Sequence, residues 1–187
     1  MPYLKLILLL FGAFTLHAQD FRTQYREKTL KQFPNSEQDF YPDDDSFRIL
    51  ADYKLLKKGK IISIPTSGTK IKDYKAYALI SFTYEGKKYK LTVYQPQPVM
   101  PLYRDHLFLP LKDATAPHET YGGGRYMDLS VADFKEGKVI LDFNTLYNPY
   151  CAFSDGWNCP IPPKNNVLPL AVKAGEKIPL KTEYDQH

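Results

Sequence analysis

Cysteine and net charge are both scarce in this chain, and each scarcity removes a class of function. Only two of the 187 residues are Cys, and neither directly follows the apolar opening segment, so the acylated cysteine that tethers a lipoprotein has no candidate. The formal charge is only +4. Phosphate-dominated binding needs a dense basic face, so nucleic acid is not an expected partner. Beyond the opening segment no apolar run approaches the roughly 20 residues of a spanning helix. No Walker lysine, dinucleotide fingerprint or nucleophile elbow is present, and no paired-His motif, so neither a metal nor a cofactor is expected. Internal repeats and low-complexity blocks are also missing.

Aromatic residues are plentiful, with 15 Tyr and 11 Phe; they suit half-buried pleated surfaces and point to strands. Fifteen prolines imply many loops. The opening reads as an export signal: Lys5 precedes an apolar run from Leu6 to Phe11, continuing patchily to Leu16, and Leu16-His17-Ala18 puts a small residue at a cleavage position. Residues 1–18 are therefore expected to be a signal peptide and residues 19–187 a single β-rich domain, periplasmic or secreted, with no stable membrane span after processing.

Apolar residues at Phe21, Tyr25, Leu30 and Phe33 predict one amphipathic helix that Pro34 ends. Asp43-Asp44-Asp45 in the following loop reads as solvated. Strands are predicted at Phe47–Tyr53 and Ile61–Ile64. Alternation at Ala76, Ala78, Ile80, Phe82 and Tyr84, then Glu85-Gly86-Lys87-Lys88, then Tyr89, Leu91 and Val93 predicts a β-hairpin. Further strands are expected at Leu107–Leu109, Arg125–Leu129, Lys138–Phe143 and Val167–Lys173. The expected fold is mainly β, an antiparallel sandwich or partly open barrel with one N-terminal helix.

Two polar, Gly- and Pro-rich segments interrupt the alternation, 112–128 and 142–164. In the first, Gly122-Gly123-Gly124 permits a close backbone approach and Arg125 offers a bidentate charge, a pattern suited to an anion. A glycine corner, with Arg125 paired to Glu119 or Asp128, accounts for the same residues structurally. In the second, Asn144, Tyr147, Asn148 and Tyr150 combine amides and phenols suited to a neutral polar ligand; turn geometry is the bland account. The candidate ligand-binding set is Glu119, Tyr121, Arg125, Asp128, Asn144, Tyr147 and Asn148, acting on a small polar or anionic ligand. The alternative is a hydrolase using Glu119 or Asp128 as general base with Arg125 as electrostatic partner. Protein partners are not indicated.

Cys151 and Cys159, an even count in an apparently exported chain, suggest a disulfide. Two other uses stand beside it: a metal shared with His106 or His118, and a Cys nucleophile with His118 as base.

The runs Leu107 to Thr115, Glu119 to Leu129, Leu141 to Asn144, Tyr147 to Ala152, Cys159 to Pro163 and Asn166 to Lys177 resemble domain of unknown function family 1684, known from bacteria. The resemblance covers most of the chain from about Phe40 to Lys177. It departs at Leu111-Lys112-Asp113, where the family usually has Phe-Arg-Asp. It implies no activity, but it marks Glu119, Tyr121, Arg125, Tyr126, Asp128, Asp142, Asn144, Tyr147, Asn148, Cys151, Cys159 and Glu176 as matching the family pattern.

Overall fold

The computed structural model describes residues 19–186; the expected leader at 1–18 lies outside them. A helix, α1, occupies residues 19–32. Strands follow at β1 (Arg48–Leu55), β2 (Ile61–Pro65), β3 (Ile71–Tyr84), β4 (Lys87–Pro96), β5 (His106–Leu111), β6 (Arg125–Ser130) and β7 (Lys138–Asp142). All pair antiparallel in one sheet of order β6-β5-β4-β3-β1-β7, with β2 alongside the first half of β3. The result is a half-barrel, open between β6 and β7.

The β3–β4 hairpin turns on Glu85 and Gly86, whose φ values of 47° and 75° are both left-handed. A two-residue turn of that hand matches the twist of its strands. Farther along, the register slips by one residue between Ala76 and Ala78. Side chains alternate faces with period two, so one extra residue swaps the faces. Ile80 and Phe82 point into the main core with Leu91, Val93, Leu107, Leu109, Met127 and Leu141. Tyr74 joins Ile64, Tyr94, Phe108 and Tyr126 in a second, largely aromatic cluster on the other face.

The strand expected at Val167–Lys173 does not form. Leu168, Leu170, Val172 and Ala174 are buried in alternation against the main core, as on a strand, but their backbone finds other partners. Lys112 N–H donates to Asn166 O, Leu168 N–H to Lys112 O, and Ala114 N–H to Leu170 O. The Asn166 side chain does a strand's work instead. It accepts from Thr92 N–H (2.8 Å) and donates to Thr92 O and Pro110 O (2.8 Å each), joining β4 to β5 where their own pairing has shrunk to Tyr94 opposite Phe108. Pro110 has no N–H to offer a neighbour, so an amide side chain is the available bridge.

Helix α1 buries Tyr25 and Thr29 and leaves Leu30 exposed, and Phe33, just past its end, continues the buried face at the same four-residue spacing. Phe33 packs on Tyr150, Phe153 and Trp157. No helix among the described residues is long and apolar enough to cross a membrane.

Candidate functional site

The even-numbered residues of β5 and β6 share the aromatic face, because Phe108 pairs with Asp128 and Pro110 with Tyr126. His106, Phe108, Tyr126 and Asp128 are thus set side by side by strand register alone. Tyr147 arrives from another direction. It forms a backbone bridge with Tyr126, each N–H donating to the other's carbonyl (2.9 and 3.0 Å), which lays residue 147 along the free edge of β6. Rings then run across the face in sequence: Tyr74–Phe108 at 5.4 Å, Phe108–Tyr126 at 4.8 Å, Tyr126–Tyr147 at 5.9 Å and Tyr147–Tyr25 at 4.9 Å between centroids.

These residues line a groove of about 560 Å3, completed by Tyr150, Trp157, Asn158 and Cys159 and edged by Lys28 and Lys72. At its polar point, Asp128 Oδ1 lies 2.9 Å from His106 Nε2 and Asp128 Oδ2 accepts from the Tyr147 hydroxyl at 2.9 Å. A carboxylate only accepts, so Nε2 carries the imidazole proton. The bond to Asp128 raises the His106 pKa against the opposing effect of burial. Burial, reinforced by the Asp128 charge, pushes the Tyr147 phenol well up, so it acts as a hydrogen-bond donor. Asn148 closes the groove from beneath: its N–H donates to Glu176 Oε2 (2.6 Å), its Nδ2 to Lys177 O (2.7 Å), and its carbonyl accepts from the Tyr25 hydroxyl (2.7 Å). Its Oδ1 is buried without a partner among the described residues.

Three of the seven predicted ligand residues, Asp128, Tyr147 and Asn148, therefore meet in one groove; the other four do not. Arg125, only 1% exposed, points to the opposite face. Its guanidinium donates to Asp113 Oδ2 (2.8 Å), Val172 O (2.9 Å), Ala174 O (2.5 Å) and Glu176 O (3.0 Å). It holds the C-terminal segment to β6 and offers nothing to a solvent-borne anion. Nor do the glycines form an anion cradle. Gly122 O accepts from Lys112 Nζ, and Gly124 sits at φ 89°, where a Cβ would meet Leu111 O and Pro162 Cγ at 2.7 Å each. That is a tight corner only glycine can turn.

Glu119 lies on a separate, exposed surface, accepting from the Tyr41 hydroxyl (3.1 Å) and 3.3 Å from Lys173 Nζ. Burial and then this carboxylate push the Tyr41 phenol up to about 12. Asn144 is buried, donating to Asp44 O and Asp142 Oδ1 and accepting from Asp44 N–H, a tie between the N-terminal loop and the end of β7. Tyr121 lines a neighbouring cavity of about 330 Å3 with Cys151, Trp157 and Tyr184. The hydrolytic alternative, which needs Arg125 beside Glu119 or Asp128, thus finds no support in this arrangement.

The sulfurs of Cys151 and Cys159 lie 2.17 Å apart, at disulfide distance. Their union holds residues 151–159 in a loop that presents Trp157 to the groove, its ring 4.8 Å from that of Tyr150. Among the described residues no cluster of three or more His, Cys, Asp or Glu is arranged to hold a metal ion.

Sequence reasoning overlooked His106 as a partner of Asp128, as well as Tyr25, Tyr74 and Phe108. The available signal was register: His106-x-Phe108 and Tyr126-x-Asp128 each put two groove residues on one face of adjacent strands.

The solution NMR structure of an uncharacterized protein from gene locus rrnAC0354 of Haloarcula marismortui is similar to this chain, at 32% identity and a TM-score of 0.62 over 75% of each chain. No curated protein matches the sequence. The model of the family described as "Protein of unknown function (DUF1684)" matches residues 33–177, and the chain belongs to that family.

Proposed function

We propose that this protein is an exported single-domain binding protein, and that its groove takes a small polar ligand with one flat apolar face, a sugar ring being the simplest chemistry that fits. One observation carries the reading: Asp128, bonded through both oxygens to His106 and Tyr147, stands in a groove whose walls are Tyr, Phe and Trp rings. Rings stack on apolar faces, while a pre-oriented carboxylate accepts from ligand hydroxyls. Lys28 and Lys72 at the rim suit an added acidic group. Export is supported by the apolar leader read in residues 6–16 and by the cysteine pair.

The sole tryptophan, Trp157, lines the groove and serves as a built-in reporter. Titration with hexoses, hexuronic acids and aromatic carboxylates should produce a saturable change in its emission for at least one class. Asp128→Asn and Tyr147→Phe should each weaken that binding by roughly 10-fold, the worth of a hydrogen bond to a charged group. If both variants bind as the wild type does, or if no probe alters the emission, the groove is not the site.

A further inference from the structure

Beside the groove, the loop after β4 carries large apolar side chains outward. Leu102 is 83% exposed and Tyr103 57%, on a 3-10 turn at Pro101–Tyr103, and Met100 (58%) and Val99 just before it are exposed as well. Ile71 at the start of β3 is 68% exposed. The two segments run together: Tyr74 pairs with Pro96, and Gln97 N–H donates to Asp73 O. Lys70, Lys72 and Arg104 are exposed around them. Two acids share this end, Asp73 accepting from Ser63 Oγ at 2.6 Å and Asp105 lying 3.5 Å from Arg104. Tyr103 and Lys72 line the groove together with Lys28, so that lysine belongs to the same end of the molecule.

We propose that this apolar tip docks on an anionic lipid surface, with Met100 and Leu102 entering the headgroup and acyl boundary, Tyr103 at the interface and the flanking cations over the lipid phosphates. The shape favours lipid over a protein. Four side chains of one loop and Ile71 beside them fall short of the roughly 800 Å2 per partner that a specific protein complex buries. A bilayer demands no shape complementarity: it accepts a few apolar anchors, an interfacial aromatic and cations within reach of its charge. Exposed apolar residues gathered at one end, with cations beside them, are the pattern such peripheral contact requires.

Flotation of the full chain with vesicles of phosphatidylcholine, with and without phosphatidylglycerol, tests the proposal. Binding should require the anionic lipid and fall as salt is raised. Met100→Ser combined with Leu102→Ser should lower the partition at least ~10-fold against wild type prepared identically, whatever residues 1–18 contribute to both. Lys70→Gln with Lys72→Gln should erase the preference for phosphatidylglycerol. All four positions are exposed, so melting temperature should hold. Equal flotation of wild type and the Met100/Leu102 variant would overturn the proposal, as would no flotation of either. So would loss in that variant of a concentration-dependent dimer seen by sedimentation, which would assign the tip to a second copy.

Discussion

Both terminal nitrogens of the deeply buried Arg125 have acceptors, three backbone carbonyls and Asp113, while its Nε is left without one among the described residues. Asp113 is matched in turn: Oδ1 accepts from Thr115 N–H, Thr115 Oγ1 and Val172 N–H, leaving Oδ2 for the guanidinium. Removing one partner of such a pair strands a buried charge, which costs about 3 to 5 kcal/mol. Arg125→Met keeps most of the volume and should therefore lower unfolding free energy by about that amount in urea titration, with no effect on ligand response at the groove, which lies on the other face of β6. Unchanged stability would return Arg125 to the list of ligand residues. Asp128 is the contrasting case, the one exposed residue of β6, with His106 and Tyr147 as partners. One residue of β6 thus serves the scaffold and another the groove, and alternation along the strand separates them.

Two local devices aim the groove residues: the bulge in β3 and the disulfide loop. The bulge turns Tyr74 onto the aromatic face while Ile80 and Phe82 fill the main core. The disulfide closes a loop at a sequence separation of eight, and loop-closure entropy gives it about 2.5 kcal/mol. Cys151→Ser with Cys159→Ser should lose stability of that order in calorimetry and shift Trp157 emission, since the loop that presents the ring is released. Two free thiols in the purified wild type would defeat the assignment. The hairpin was legible because Glu85-Gly86 between alternating runs has a turn type of its own, and α1 because Pro34 ends a helical period. The bulge was not legible: Tyr74 to Phe82 reads as one uninterrupted period-two pattern, and the slip exists only against β4. The Val167–Lys173 segment misled for a related reason. Alternating burial is real there, but whether an extended segment joins a ladder depends on partners elsewhere, here Asn166, Lys112 and Arg125. The groove was half legible; Tyr147 and Asn148 stood out as polar loop residues, whereas His106 needed the β5–β6 register.

At the scale of the molecule, segments remote in sequence are tied together at Glu176. Its carboxylate accepts from Gln38 Nε2 of the N-terminal loop (2.9 Å) and from Asn148 N–H beneath the groove (2.6 Å), while its backbone bridges Phe40. Complete burial raises its pKa to about 7 from an ordinary 4.5, in spite of those hydrogen bonds. Between these values the folded protein holds a proton that the unfolded chain has released, so stability declines as pH rises from about 4.5 to 7, by on the order of 3 kcal/mol in all. His106, raised by Asp128, acts with the same sign: its contribution is complete below 6.5 and is lost as pH climbs through the folded-state value. Melting temperature should therefore be higher near pH 5 than near pH 8. Glu176→Gln, neutral throughout, should flatten most of that slope, at the expense of one acceptor now shared between Gln38 and Asn148. A wild-type melting temperature that rises over this interval, or a slope that the substitution leaves intact, would show that the junction at Glu176 does not set the pH response of the fold.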